Sequence, residues 1–241
     1  MDNKDYIDIA NKNEIVDNIS IGSVKFAHRY SDKKDIEVSG LFASWLSYGN
    51  REEYEKVVKR LLICEMGNKP YDYIMSREYD KYKDNYTCLY HLTTWHNFAM
   101  LCNHLYNIYS SNEDLESAVI NNFKIKKFGY YYQALCDLLY NETLIQSPDS
   151  TSACGRINMY LRWMSRSNSP IDLGIWANIR ESKLLVSCND KVINNAKKLN
   201  LIKKTEDNKI NMIKITKFAN EVFKGDPSRM DYVLQCQLPM S

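Results

Sequence analysis

The chain has 241 residues, 44% hydrophobic and 26% charged, with 8 Gly and 5 Pro, which suffices to bury a sizeable core and excludes a long disordered tract. Its formal charge of +2 excludes a general polycation, so any case for nucleic-acid binding must rest on local clustering. Seven cysteines, odd in number and never spaced as CxxC, exclude a disulfide framework and a zinc motif, and with a charged N-terminus and no bilayer-length apolar run they point to a cytoplasmic, non-membrane protein.

In chain order, residues 2–20 read as a short helix with Ile7, Ile9, Ile15 and Ile19 set among charges. Ser31-Asp32 caps a helix through Ile36, Leu41, Phe42, Trp45 and Leu46, whose spacing buries a broad face and which Gly49-Asn50 ends. Glu52–Met66 forms the next amphipathic helix, and Gly67-Asn68-Lys69-Pro70 a turn. The segment from Tyr71 to Tyr90 is polar and rich in tyrosine. His91, His96 and His104 lack the i, i+4 spacing of a helical metal pair and are assigned to hydrogen bonding in a helical layer. Helices are predicted at about 113–123 and about 129–141, with Lys124, Lys126 and Lys127 as a solvated turn between them. Period-two alternation and internal repeats are absent, so the class is all-α.

The stretch from Ser152 to Trp176 carries the strongest periodicity and the densest positive charge. On a helical wheel Ala153, Ile157, Tyr160, Leu161 and Met164 share one arc, and Arg156, Met159, Arg162, Trp163 and Arg166 the opposite one. A basic, aromatic face of this kind suits phosphate and base contact; a solvated amphipathic helix gives the same pattern. Further on, Lys197, Lys198, Lys203 and Lys204 make a basic edge, and Asp226 with Pro227 is expected to open the last helix.

SACGRINMYLRWMSR with the following DLGIW, DIEVSGLFASWLSYGNR at 35–51 and GDPSRMDYVL at 225–234 resemble the signature blocks of the bacterial domain of unknown function 2400 family, which is similar to the helix-hairpin-helix DNA glycosylases. The resemblance covers nearly the whole chain. It implies one glycosylase-like unit of two helical lobes around a cleft, with residues 1–110 and 205–241 in one lobe and 111–204 in the other. It further implies a monomer that acts on double-stranded DNA carrying a modified base. The four-Cys iron–sulfur loop of some such glycosylases has no counterpart, because the last 50 residues hold only Cys236.

By the same resemblance, LIQSPDSTSACGR at 144–156 is the hairpin that holds a DNA phosphate on the first amides of the helix starting at Ser152, helped by Ser150 and Thr151. The two glycines usual in that hairpin are missing. The carboxylate that stabilises positive charge on the sugar in such glycosylases falls in LLVSCNDK at 184–191, where the expected Asp is Asn189, Asp190 follows and Lys191 takes the place of a His. Three readings are open: Asp190 serves as the carboxylate, Asn189 holds the water, or the site is dead; a plain cap on the helix that follows is compatible with the first two. Gly155 replaces a frequent Lys, which argues against Schiff-base lyase chemistry unless Lys191 substitutes. It also suggests a roomy base pocket in which Trp163, Trp176 or Trp45 stacks on a flipped, bulky base such as hydroxymethylated or glucosylated cytosine, in antiviral defence or repair. The expectation is therefore a monofunctional DNA glycosylase that leaves an abasic site, against the alternatives of a non-catalytic reader of modified DNA and a helical enzyme acting on free nucleosides.

Overall fold

The computed structural model describes residues 1–203 and 208–236, which are mostly helical. In chain order the helices are α1 (Asn3–Asn13), α2 (Lys33–Trp45), α3 (Arg51–Lys59), α4 (Pro70–Ser76), α5 (Trp95–Ser111), α6 (Leu115–Lys126), α7 (Tyr131–Leu139), α8 (Gly155–Ser165), α9 (Asp190–Lys198), α10 (Asn208–Val222) and α11 (Asp231–Leu234). Between α4 and α5 a two-stranded antiparallel ribbon pairs β1 (Cys88–Tyr90) with β2 (Thr93–Thr94). Strands this short are invisible to a search for sustained alternation. Among the described residues no helix is long and apolar enough to cross a membrane, and no group of three or more His, Cys, Asp or Glu could hold a metal ion.

The chain forms two compact units: Met1–Gly22, Tyr130–Tyr132 and the described residues from Asp149 onward make one, and Ser23–Gly129 with Gln133–Pro148 make the other. The expected lobe boundary near residue 110 lies instead inside α5, which runs unbroken from Trp95 to Ser111. Of the segment 1–110, only Met1–Gly22 joins the C-terminal helices.

In the unit that begins at Ser23, α2 is the core element. Asp32 caps it by accepting the Lys34 and Asp35 amides. Every residue from Ile36 to Trp45 is buried, so the helix is enclosed all round instead of on one broad face. The Trp45 indole, 2% exposed, donates to the Thr143 carbonyl at 2.8 Å. Asn50 caps α3, which continues into a π-helical turn at Arg60–Glu65. That turn delivers Glu65 to the Tyr73 and Tyr82 hydroxyls, each at 2.9 Å, and to Lys81 Nζ at 2.7 Å. His96 and His104 lie in α5 and pair with the Lys83 and Asn141 carbonyls, whereas His91, expected in the same helical layer, is exposed in the turn between β1 and β2 with a left-handed φ of 49°.

In the other unit, α1 opens on a reciprocal cap between Asp2 and Asp5. It buries Tyr6 and Ala10, not the isoleucines, and Ile15 is left exposed. The helix expected over 2–20 stops at Asn13, and a 3-10 turn at Val16–Ile19 follows. α10 buries Met212, Ile215 and Ala219, and its Thr216 hydroxyl accepts the Val186 amide at 3.1 Å.

Burial by itself would raise the Glu65 carboxyl, but hydrogen bonds from Lys81, Tyr73 and Tyr82 outweigh it and hold the group below its ordinary 4.5. A carboxyl with a lower pKa folded than unfolded stabilises the fold above the unfolded value and loses that stabilisation as pH falls through the folded one. Glu65→Gln is expected to be less stable than the wild type at neutral pH and to lose less stability than the wild type between about pH 5 and about pH 3. Urea midpoints across that range provide the check.

Candidate functional site

α9 starts where the sequence places the expected carboxylate. Asn189 is its N-cap, with Oδ1 accepting the Val192 amide at 2.9 Å. Val192, Ile193, Asn195 and Ala196 face inward, and this register leaves Asn189, Asp190 and Lys191 exposed together in the cap and first turn. The approach to this turn, Leu184–Ser187, is buried. It is held by Asp231 of α11, whose Oδ1 accepts the Ser187 amide at 2.8 Å and whose Oδ2 accepts the Ser187 hydroxyl at 2.7 Å.

The start of α8 is pressed against the same turn. A Cβ on Gly155 would lie 1.9 Å from the Cys188 carbonyl oxygen and 2.9 Å from its carbon. No side chain fits there unless the backbone moves, so Gly155 marks a close approach of two backbones and not a vacancy in a pocket wall. The expectation of extra room for a bulky base at Gly155 is corrected accordingly. Just before it, Cys154 takes a left-handed φ of 46°, a conformation costly for a non-glycine residue. Asn158 Nδ2 supports it by donating to the Ala153 carbonyl at 2.8 Å and the Cys154 carbonyl at 3.3 Å.

The helix expected from Ser152 begins at Gly155 and has no side-chain cap. The Ser150 and Ser152 hydroxyls are spent locally, accepting the Ser152 amide at 2.9 Å and the Cys154 amide at 3.2 Å. Thr151 is exposed and Arg156 half-buried.

α8 is not divided into a core face and a basic face. Tyr160 through Ser165 are all buried, Arg162 and Trp163 among them. Arg162 Nε lies 3.3 Å from Asp172 Oδ1, and its Nη1 lies 2.8 Å from Asp231 Oδ2. Arg166 pairs with Asp172, with Asp226 Oδ2 at 2.8 Å and with Glu14 Oε1 at 2.7 Å. Arg229 joins the group through Glu14 Oε2 at 2.8 Å, and the Tyr232 hydroxyl donates to Asp172 at 3.1 Å. Burial opposes the charge on Arg162 and Arg166, yet the carboxylates around them hold both guanidinium groups above their ordinary pKa. Burial also pushes Asp231 upward, against the pull of Arg162 and the two Ser187 bonds.

The expected phosphate contacts from Arg162 and Arg166 are therefore corrected: at 6% and 1% exposure their guanidinium groups are turned to protein carboxylates. The expected stacking surfaces are corrected too. Trp163 is 2% exposed, Trp176 is fully buried edge-on to Tyr160, and Trp45 belongs to the core of the other unit. Lys197 and Lys198 are exposed in the last turn of α9 and Lys203 beyond it; Lys204 falls outside the described residues. Asp226 precedes a 3-10 turn led by Pro227, but its carboxylate goes to Arg166 in place of the cap. Glu14, Asp172, Ser187 and Asp231 form part of this arrangement and were not singled out from the sequence. Asp172 and Asp231 carry one local signal, acidic residues inside the 172–176 and 225–234 blocks, with nothing to say which basic group each meets; Glu14 and Ser187 carry none.

Cys188, half-buried at the junction, is pushed up to about 11 by burial first and then by Asp190 and Asp231. Its thiol stays protonated at neutral pH, which makes it a poor nucleophile there.

The family described as "Protein of unknown function (DUF2400)" matches residues 23–238, and the chain belongs to it. No curated protein and no solved structure matches the chain.

Two outcomes follow from this geometry. Gly155→Ala is expected to cost about 1–3 kcal/mol, toward the upper end because the opposing atom is backbone, and thermal unfolding will measure it. Arg166→Ala strands buried carboxylates and is expected to cost about 3–5 kcal/mol.

Proposed function

We propose that this member of the family is a DNA glycosylase, which flips a modified base out of duplex DNA and hydrolyses its N-glycosidic bond to leave an abasic site. With this reading goes the helix-hairpin-helix glycosylase architecture that the sequence resemblance implies. The observation that supports it is the exposed Asn189–Asp190–Lys191 turn at the N-terminus of α9, supported from behind by Ser187 and Asp231.

Breaking the bond from C1′ to the base leaves positive charge on the sugar. A fixed carboxylate beside it stabilises that charge in the transition state and orients the attacking water. Asp190 takes this role, because Asn189 Oδ1 is committed to the Val192 amide. With Oδ1 so engaged, the Asn189 Nδ2 group is left to donate a hydrogen bond to the water oxygen. Lys191 adds a cation within reach of a phosphate on the same exposed turn. With Gly155 closed off by Cys188, the reaction is hydrolytic and not a Schiff-base lyase reaction at that position. Backbone contact falls to Thr151, Arg156, Lys197 and Lys198. Excision serves repair or antiviral defence according to which base is released.

The test is incubation with matched duplexes that carry plain, oxidised, deaminated, hydroxymethylated or glucosylated bases, scoring free base and abasic sites. Release is expected from one modified duplex, and Asp190→Ala is expected to lower it about 10²–10³-fold while duplex binding persists. Salt-sensitive binding without release from any duplex would favour a non-catalytic reader of modified DNA.

A further inference from the structure

We propose that Asp231 is a positioning residue, which acts through Ser187 to set the placement of the turn that carries Asp190. The proposal rests on the reading of Asp190 as the acting carboxylate. Asp231 is 1% exposed and reaches three donors at once: the Ser187 amide at 2.8 Å, the Ser187 hydroxyl at 2.7 Å and Arg162 Nη1 at 2.8 Å. The first two bonds fix the backbone and the side chain of a single residue, which pins its orientation as well as its location. Only Cys188 and Asn189 separate it from Asp190. Both are themselves constrained, Cys188 by the backbone of Gly155 and Asn189 by its cap on Val192.

Neutralising Arg162 does not by itself account for this arrangement, because Asp172 also faces that guanidinium at Nε. What Asp231 adds is a mechanical link from α8 and α11 to the residue that leads into α9. A reacting carboxylate displaced by a fraction of an ångström loses transition-state stabilisation more than substrate affinity, so the loss falls on kcat and spares KM.

The test compares wild type, Ser187→Ala and Asp231→Asn, each first confirmed as folded by circular dichroism, with two readouts. The first is the kinetics of base release on the responsive duplex. The second is the pH midpoint of Cys188 alkylation by iodoacetamide, read by peptide mass spectrometry, which needs no DNA. Ser187→Ala keeps the Asp231 charge, so any change in its midpoint reports a changed placement of the turn.

For Ser187→Ala we expect kcat about tenfold lower, KM within about twofold, and the Cys188 midpoint lowered by about half a unit as the loosened turn admits water. Asp231→Asn, which retains an acceptor for the Ser187 amide but loses the charge facing Arg162, should lower kcat in the same way. An unchanged Cys188 midpoint in folded Ser187→Ala, or a raised KM with unchanged kcat, overturns the proposal. If the wild type releases no base from any duplex while the midpoint still shifts, the glycosylase reading fails and the hold of Asp231 on the turn stands.

Discussion

The unit that carries the candidate site depends on a buried ion network. Arg162, Arg166 and Arg229 meet Glu14, Asp172, Asp226 and Asp231 in a continuous set of contacts, with Tyr232 against Asp172. Ions taken out of water are tolerable only when every charge is met and hydrogen-bonded. Arg162 and Arg166 satisfy that condition through partners from three other stretches of chain. The network therefore locks α8 to the 172 segment, to α11 and to the residue that follows α1. Arg162 and Arg166 of one sequence block thus meet Asp172, Asp226 and Asp231 of two others across the unit.

This constraint also changes what α8 does. A helix with arginines and a tryptophan opposite an apolar stripe has the composition of a surface that grips nucleic acid, and here the same residues fill the interior. The outward chemistry is left to α9 and the turn before it, where Asn189, Asp190 and Lys191 are exposed. Gly155 serves that turn from behind, by allowing the Cys188 backbone to come closer than any side chain would permit.

Much of the architecture was legible in the sequence. The caps at Asp32 and Asn189, the apolar run of α2 and the helices near 115–126 and 131–139 follow from local rules of capping and periodicity, which involve residues a few positions apart; Asn50, read as the end of α2, proves to be the cap of α3. The 88–94 ribbon was not legible, because strands of two or three residues carry no period. The end of α1 at Asn13, short of the expected residue 20, was not legible either, nor was which side of it faces inward, since that depends on what lies next to it.

The sequence by itself determined the helical class, the start of α2 at its Asp32 cap and the presence of an Asn-Asp-Lys triplet at the head of a helix, because all of these arise from interactions within one or two turns of chain. Tertiary structure alone decided that Arg162 and Arg166 face inward, that Gly155 is a contact point and that Asp231 supports Ser187. Each of those depends on a partner distant in sequence, 44 positions for Ser187 and Asp231, 69 for Arg162 and Asp231 and 60 for Arg166 and Asp226, and a charge pattern read along the chain shows that a group must be compensated without showing by which residue.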